Sequence, residues 1–100
     1  MERLVDIVNF KIVASSSVTK FLEASEKMTN NFLKKQNGFV SRQILQSEDN
    51  WADIVLWESQ DAAMNAAQIM CENPSCGEFM AFLDQPSVTA QQFKIKQDFK

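Results

Sequence analysis

Trp51-Ala52-Asp53-Ile54-Val55-Leu56-Trp57-Glu58-Ser59 decides the fold of this chain. The run is apolar, is bounded by tryptophans and leads into a serine suited to capping a helix, so it reads as a strand followed by a helix. Side chains of a strand alternate between faces: Ile54 and Leu56 share one, while Asp53, Val55 and Trp57 share the other. Both faces are largely apolar, which marks a central strand that must be covered twice. A chain of 100 residues has helices for one covering only. The second is expected from another subunit, and a ligand is expected around Trp57, on the face away from the helices.

Upstream, residues 39–46 (FVSRQILQ) form a more polar strand suited to an edge, joined to the central one by a hairpin through Ser47-Glu48-Asp49-Asn50. Arg42 and Gln43 project to opposite faces of it, and which one points inward stays open. Before it, Val18, Phe21, Leu22, Ser25, Met28, Phe32 and Leu33 recur at three-and-four spacing, predicting a helix over 18–35 with one buried stripe. Ser15-Ser16-Ser17 supplies its start, and Asn37-Gly38 its left-handed stop. Residues 4–14 (LVDIVNFKIVA) form the first strand, with Val5, Ile7 and Asn9 on one face and Leu4, Asp6, Val8 and Phe10 on the other.

Downstream, Ser59 caps an alanine-rich helix running to Met70, whose small side chains allow close approach to the sheet. Asn73-Pro74 opens a short second segment through Phe79, Met80 and Leu83, and residues 87–97 form the last strand. The order strand, helix, strand, strand, helix, strand is an α+β, ferredoxin-like βαββαβ pattern. Its sheet is antiparallel, the first and third strands lie at the centre, and the helices share one face. One domain spanning 1–100 is expected.

Absences exclude much chemistry. The chain has no histidine and no tyrosine, which removes the usual general base near neutral pH, the commonest transition-metal ligand and any Ser-His-Asp or Cys-His arrangement. Two cysteines, Cys71 and Cys76, do not make a zinc signature, and two glycines cannot make a phosphate-cradling loop. The formal charge is −3 and the basic residues are scattered, so nucleic acid is not expected as a partner. No apolar run approaches the roughly 20 residues that span a bilayer, and no leader is evident, so no membrane association and a cytoplasmic location are expected.

Gly38-Phe39-Val40-Ser41 after a long helix, Ile54-Val55-Leu56-Trp57-Glu58-Ser59 feeding an Ala-rich helix, and Asn73-Pro74 before a Phe-containing segment resemble the antibiotic biosynthesis monooxygenase domain family. The resemblance covers essentially the whole chain. It implies a dimeric α/β barrel in which two ferredoxin-like sheets face each other, a form that also supplies the missing cover of the central strand. Members include cofactor-free oxygenases of quinol-like molecules and haem-degrading oxygenases. The haem branch uses an asparagine on the first strand, a tryptophan ending the third and a later histidine. Asn9 and Trp57 match the first two positions, and Met80 lies in the region of the third.

These readings converge on a pocket between Trp57 and Asn9, taken to share a face, with Val55, Ile7, Asp53 and Met80 as further ligand-binding positions. Asp53 is a candidate base, although it lies near the strand start. No catalytic residue is assigned, and no metal or other cofactor is expected. The function expected is cofactor-independent monooxygenation of an aromatic or quinol-like molecule in a homodimer. The alternative is a non-enzymatic dimeric module that binds a small hydrophobic ligand.

Overall fold

The computed structural model describes residues 2–100. Strand β1 (Leu4–Phe10) is followed by helix α1 (Val18–Asn31) and a 3-10 turn over Leu33–Lys35. The hairpin β2 (Phe39–Ser47) and β3 (Asn50–Trp57) leads to helices α2 (Gln60–Met70) and α3 (Pro74–Met80). A second 3-10 turn, Gln85–Ser87, precedes β4 (Thr89–Lys94). The sheet order is β2-β3-β1-β4 with every neighbouring pair antiparallel, so β1 and β3 are central and the fold is ferredoxin-like α+β.

Local chemistry sets the element ends. Ser17 Oγ accepts from the Lys20 amide, Ser59 Oγ from Ala62 and Asn73 Oδ1 from Ser75, each satisfying an amide that a helix start leaves orphaned. Gly38 adopts φ +86°, and a Cβ there would stand 2.5 Å from the Ala62 Cβ, so glycine and alanine together let α2 close on the start of β2. Several elements are shorter than the sequence pattern predicts; β4 runs Thr89–Lys94 rather than 87–97, and α3 ends at Met80 rather than Leu83. The regular part of α1 stops at Asn31, because the chain tightens into the 3-10 turn that buries Leu33. β1 ends at Phe10 rather than Ala14, because the following residues leave the sheet to bond the 82–87 segment: Val13 N donates to Phe82 O, Asp84 N to Lys11 O and Lys11 N to Ser87 Oγ.

Register decides which face each residue occupies, since directly opposed residues of neighbouring strands share a face. Leu4 opposes Trp57, Asp6 opposes Val55 and Val8 opposes Asp53, whereas Ile7 opposes Ile54 and Asn9 opposes Ala52. Trp51, Asp53, Val55 and Trp57 are all buried within one chain, beneath the helices. The Trp57 face is therefore the helix-covered one, which corrects the expectation that it points away from the helices. Asn9 and Ile7 lie on the opposite face, so Asn9 and Trp57 do not share a side of the sheet. Strand alternation says which residues go together, but not which set the helices choose.

The core under the helices is aromatic. Phe21 is fully buried and packs edge-on against Phe10 and Trp51, with centroids 5.8 and 5.1 Å away, and lies 5.4 Å from Phe79. The opposite face carries Val5, Ile7, Ile54 and Leu56, with Leu45 45% and Phe93 46% exposed. Asn9, Gln43, Thr89 and Gln91 share this largely apolar face, and among the described residues no helix covers it.

Candidate functional site

A cavity of about 260 Å³ lies between the inner face of the sheet and the helices. β1 contributes Asp6, Val8 and Phe10 to it, and β3 contributes Asp53, Val55 and Trp57, consistent with the period of two. The helical side supplies Met28, Met70, Phe79 and Met80, with Leu33 and Leu83 from the adjoining turns. Four of the six residues expected in a pocket, Trp57, Val55, Asp53 and Met80, are brought together here. Asn9 is exposed and Ile7 half-buried on the far face, and neither lines it. Met80 is 40% exposed, and Met64 at 49% is a surface residue rather than core, because α2 turns it outward.

The lining is almost entirely hydrocarbon, which gives its few polar groups weight. Asp53 is fully engaged. Arg42, on the inner face of β2, donates from Nε to Asp53 Oδ1 at 2.9 Å and from Nη2 to Oδ2 at 2.7 Å. The same guanidinium donates from Nη1 to the Ser25 carbonyl and Thr29 Oγ1 of α1, and lies 4.8 Å from the centroid of the Phe79 ring. This settles the open question on β2: Arg42 points inward and Gln43 outward. A two-pronged pair of this kind, with side chains only 3% and 10% exposed, ties β2, β3, α1 and α3 together. Asp53 has both oxygens committed and is poorly placed to serve as a base. Beside this pair, burial pushes the Cys76 thiol up, while the Arg42 charge opposes that shift.

Trp57 differs. It is 2% exposed, its ring packs edge-on against Phe39 at 5.9 Å, and its indole Nε1–H has no hydrogen-bond acceptor among the described residues. A buried donor without a partner costs on the order of 1–3 kcal/mol, so it is seldom left so without reason.

Asp6 is the group that sequence reasoning passed over. It sits on the inner face of β1, half-buried, and none of the side-chain hydrogen bonds or ion pairs among the described residues involves it. The signal was present: Asp6 is the single charged residue in the inward row Leu4, Asp6, Val8, Phe10. It acquires meaning only once that row is known to face the cavity.

Haem does not fit this site. The chain has no histidine to serve as an axial ligand, and Met80 sits at the exposed margin. Among the described residues no group of three His, Cys, Asp or Glu side chains could hold a metal ion, and no helix is long and apolar enough to cross a membrane.

No family model matches the chain, and no curated protein sequence does. Solved structures do. The cofactor-independent oxygenase SnoaB of Streptomyces nogalater is 18% identical, with 98% of this chain and 97% of that one covered at a TM-score of 0.79. A provisionally named antibiotic biosynthesis monooxygenase of Nitrosomonas europaea is 14% identical over 94% and 90% of the two chains, at 0.72. A dimeric ferredoxin-like protein from an uncultured marine organism is 9% identical over 100% and 93%, at 0.73. At these identities the likeness is one of fold, and the chain has the ferredoxin-like architecture of these proteins, as its resemblance to the antibiotic biosynthesis monooxygenase family implies.

Proposed function

We propose that this chain is a cofactor-independent monooxygenase of small aromatic molecules, acting in the cytoplasm as a homodimer. The observation that carries the reading is the apolar cavity lined by Trp57, whose indole N–H is buried with no partner among the described residues. An occupant bearing an oxygen would supply the missing acceptor, and unbranched Met28, Met70 and Met80 can shift to admit it. A cavity of roughly 150 Å³ accommodates benzene, so about 260 Å³ suits one or two fused rings. The fold shared with SnoaB supports this chemistry, and the uncovered apolar face of Ile7, Ile54, Leu56 and Phe93 supports pairing sheet to sheet.

The reaction needs no external reductant. A phenol with an open para C–H loses its hydroxyl proton, and the anion passes an electron to dioxygen. The radicals join through a C–O bond at the para carbon, the peroxide anion takes back the proton, and the hydroperoxide eliminates water with the para hydrogen to leave a quinone. One oxygen atom enters the product and the other leaves as water. The protein positions the ring, excludes solvent and stabilises the developing oxyanion through Trp57 Nε1–H.

The test is oxygen uptake with 1-naphthol, which would give 1,4-naphthoquinone and water, in parallel with native mass spectrometry. The expected result is a two-chain mass and protein-dependent uptake, reduced about 100-fold or more in Trp57→Phe. Saturable quenching of tryptophan fluorescence without any uptake would favour the non-enzymatic binding module instead. That second reading is favoured by one observation, the locking of Asp53 by Arg42, which removes the base expected from the sequence.

A further inference from the structure

The cavity holds three polar side chains, and they differ in what they still lack. Asp53 needs nothing, because Arg42 occupies both its oxygens. Trp57 has a donor without an acceptor. Asp6 has acceptors without a donor among the described residues. Asp6 opposes Val55 and Trp57 opposes Leu4, so Asp6 and Trp57 are diagonal neighbours on the inner face, about 7–8 Å apart at the backbone. One small group between them could serve both, provided that it accepts from one side and donates to the other. A hydroxyl does this; a carbonyl, an ether or a hydrocarbon does not.

We infer that Asp6 makes the cavity selective for aromatic ligands carrying a hydroxyl group, and that its carboxylate receives the hydroxyl proton as the anion forms. The first half stands on the cavity alone, and the second rests on the oxygenase reading. In the proton transfer the ligand O–H bond breaks, an O–H bond forms on Asp6 Oδ, and the electron pair remains on the ligand oxygen. Trp57 Nε1–H, which served the hydroxyl as donor, then serves the oxyanion more strongly, since hydrogen bonds to charged groups are about twice as strong. Two residues of adjacent strands thus supply the base and the oxyanion donor that a chain without histidine or tyrosine lacks.

The experiment compares 1-naphthol with 1-methoxynaphthalene, which has the same ring and an ether oxygen that can accept but not donate. Binding is read by tryptophan quenching under anaerobic conditions, in the wild-type protein and in Asp6→Leu and Asp6→Asn, with circular dichroism confirming that each variant is folded. The wild type should bind 1-naphthol about tenfold more tightly than the ether, and Asp6→Leu should bring the two within about twofold. Admission of air then reads the proton step: Asp6→Asn, which keeps the shape, should form quinone about 100-fold more slowly than the wild type. Equal affinities in the wild type, a preference that survives Asp6→Leu, or no binding of either compound would overturn the role of Asp6, whatever the oxygen electrode shows. A preference that depends on Asp6 without oxygen uptake in any protein would uphold Asp6 as the selectivity residue and overturn the oxygenase reading and the proton step. Turnover unchanged in Asp6→Asn would overturn the proton step alone.

Discussion

Two carboxylates on the same inner face of the sheet have opposite fates. Asp53 on β3 is held by two hydrogen bonds from Arg42, which also reaches Ser25 and Thr29 and stacks on Phe79. Asp6 on β1, which opposes Val55 and is a diagonal neighbour of Asp53, has no such partner among the described residues. Both line the same cavity. A polar group that the fold has satisfied serves structure, while one left open is available to a ligand, and residue type alone does not separate them.

The comparison breaks most sharply at Arg42. Arg42→Ala leaves the Asp53 charge buried without compensation, and urea unfolding should show a loss of about 3–5 kcal/mol. Replacing both partners, in Arg42→Met/Asp53→Leu, should restore stability to within about 2 kcal/mol of the wild type, because the cost lies in the orphaned charge rather than in the absence of the pair. A double variant as unstable as Arg42→Ala would show instead that the pair itself holds β2, β3, α1 and α3 in place.

Asp6 should respond with the opposite sign. Asp6→Leu replaces a half-buried carboxylate, unpartnered among the described residues, with hydrocarbon in an apolar cavity, and the free energy of unfolding should rise by about 0.5–1.5 kcal/mol. Destabilisation instead would mean that Asp6 has a structural partner and belongs with Asp53. Trp57→Phe should stay within about 1 kcal/mol of the wild type, since the lost packing is offset by removal of a buried donor that nothing accepts from.

The smallest effect is in pH. Burial raises the Cys76 thiol, so the folded chain keeps this proton when the unfolded chain has begun to lose it. The stabilisation is complete below the ordinary thiol value of about 8.5 and is lost as pH rises above it. Unfolding measured from about pH 8 to 10 should therefore show a steeper decline for the wild type than for Cys76→Ala. Because Arg42 opposes the shift, the decline should steepen further in the Arg42→Met/Asp53→Leu protein.

Element order, the pairing of β1 with β3 and the helix starts at Ser17, Ser59 and Asn73 were legible in the sequence, because period, capping and turn chemistry act over a few residues. The alternation of Asp53, Val55 and Trp57 was equally legible, and with it the fact that these three travel together. What alternation cannot supply is direction. The sheet has two apolar faces, and the helices cover the one bearing Phe10, Trp51 and Trp57: Phe10 packs against Phe21 and Phe79, Trp51 against Phe21, and Trp57 against Phe39. That choice places Asn9 and Ile7 outside the cavity and brings Asp6 into it.

The sequence by itself thus determined a ferredoxin-like sheet with β1 and β3 at its centre, a strand rich enough in hydrocarbon to need two covers, and a chemistry without histidine or tyrosine. Only the tertiary structure decided which face is the inner one, that Arg42 answers Asp53, and that Asp6 and the Trp57 N–H have no partner among the described residues. The reason is physical: strand period is a property of neighbours in the chain, whereas the satisfaction of a buried charge or donor depends on residues that only folding brings within about 3 Å.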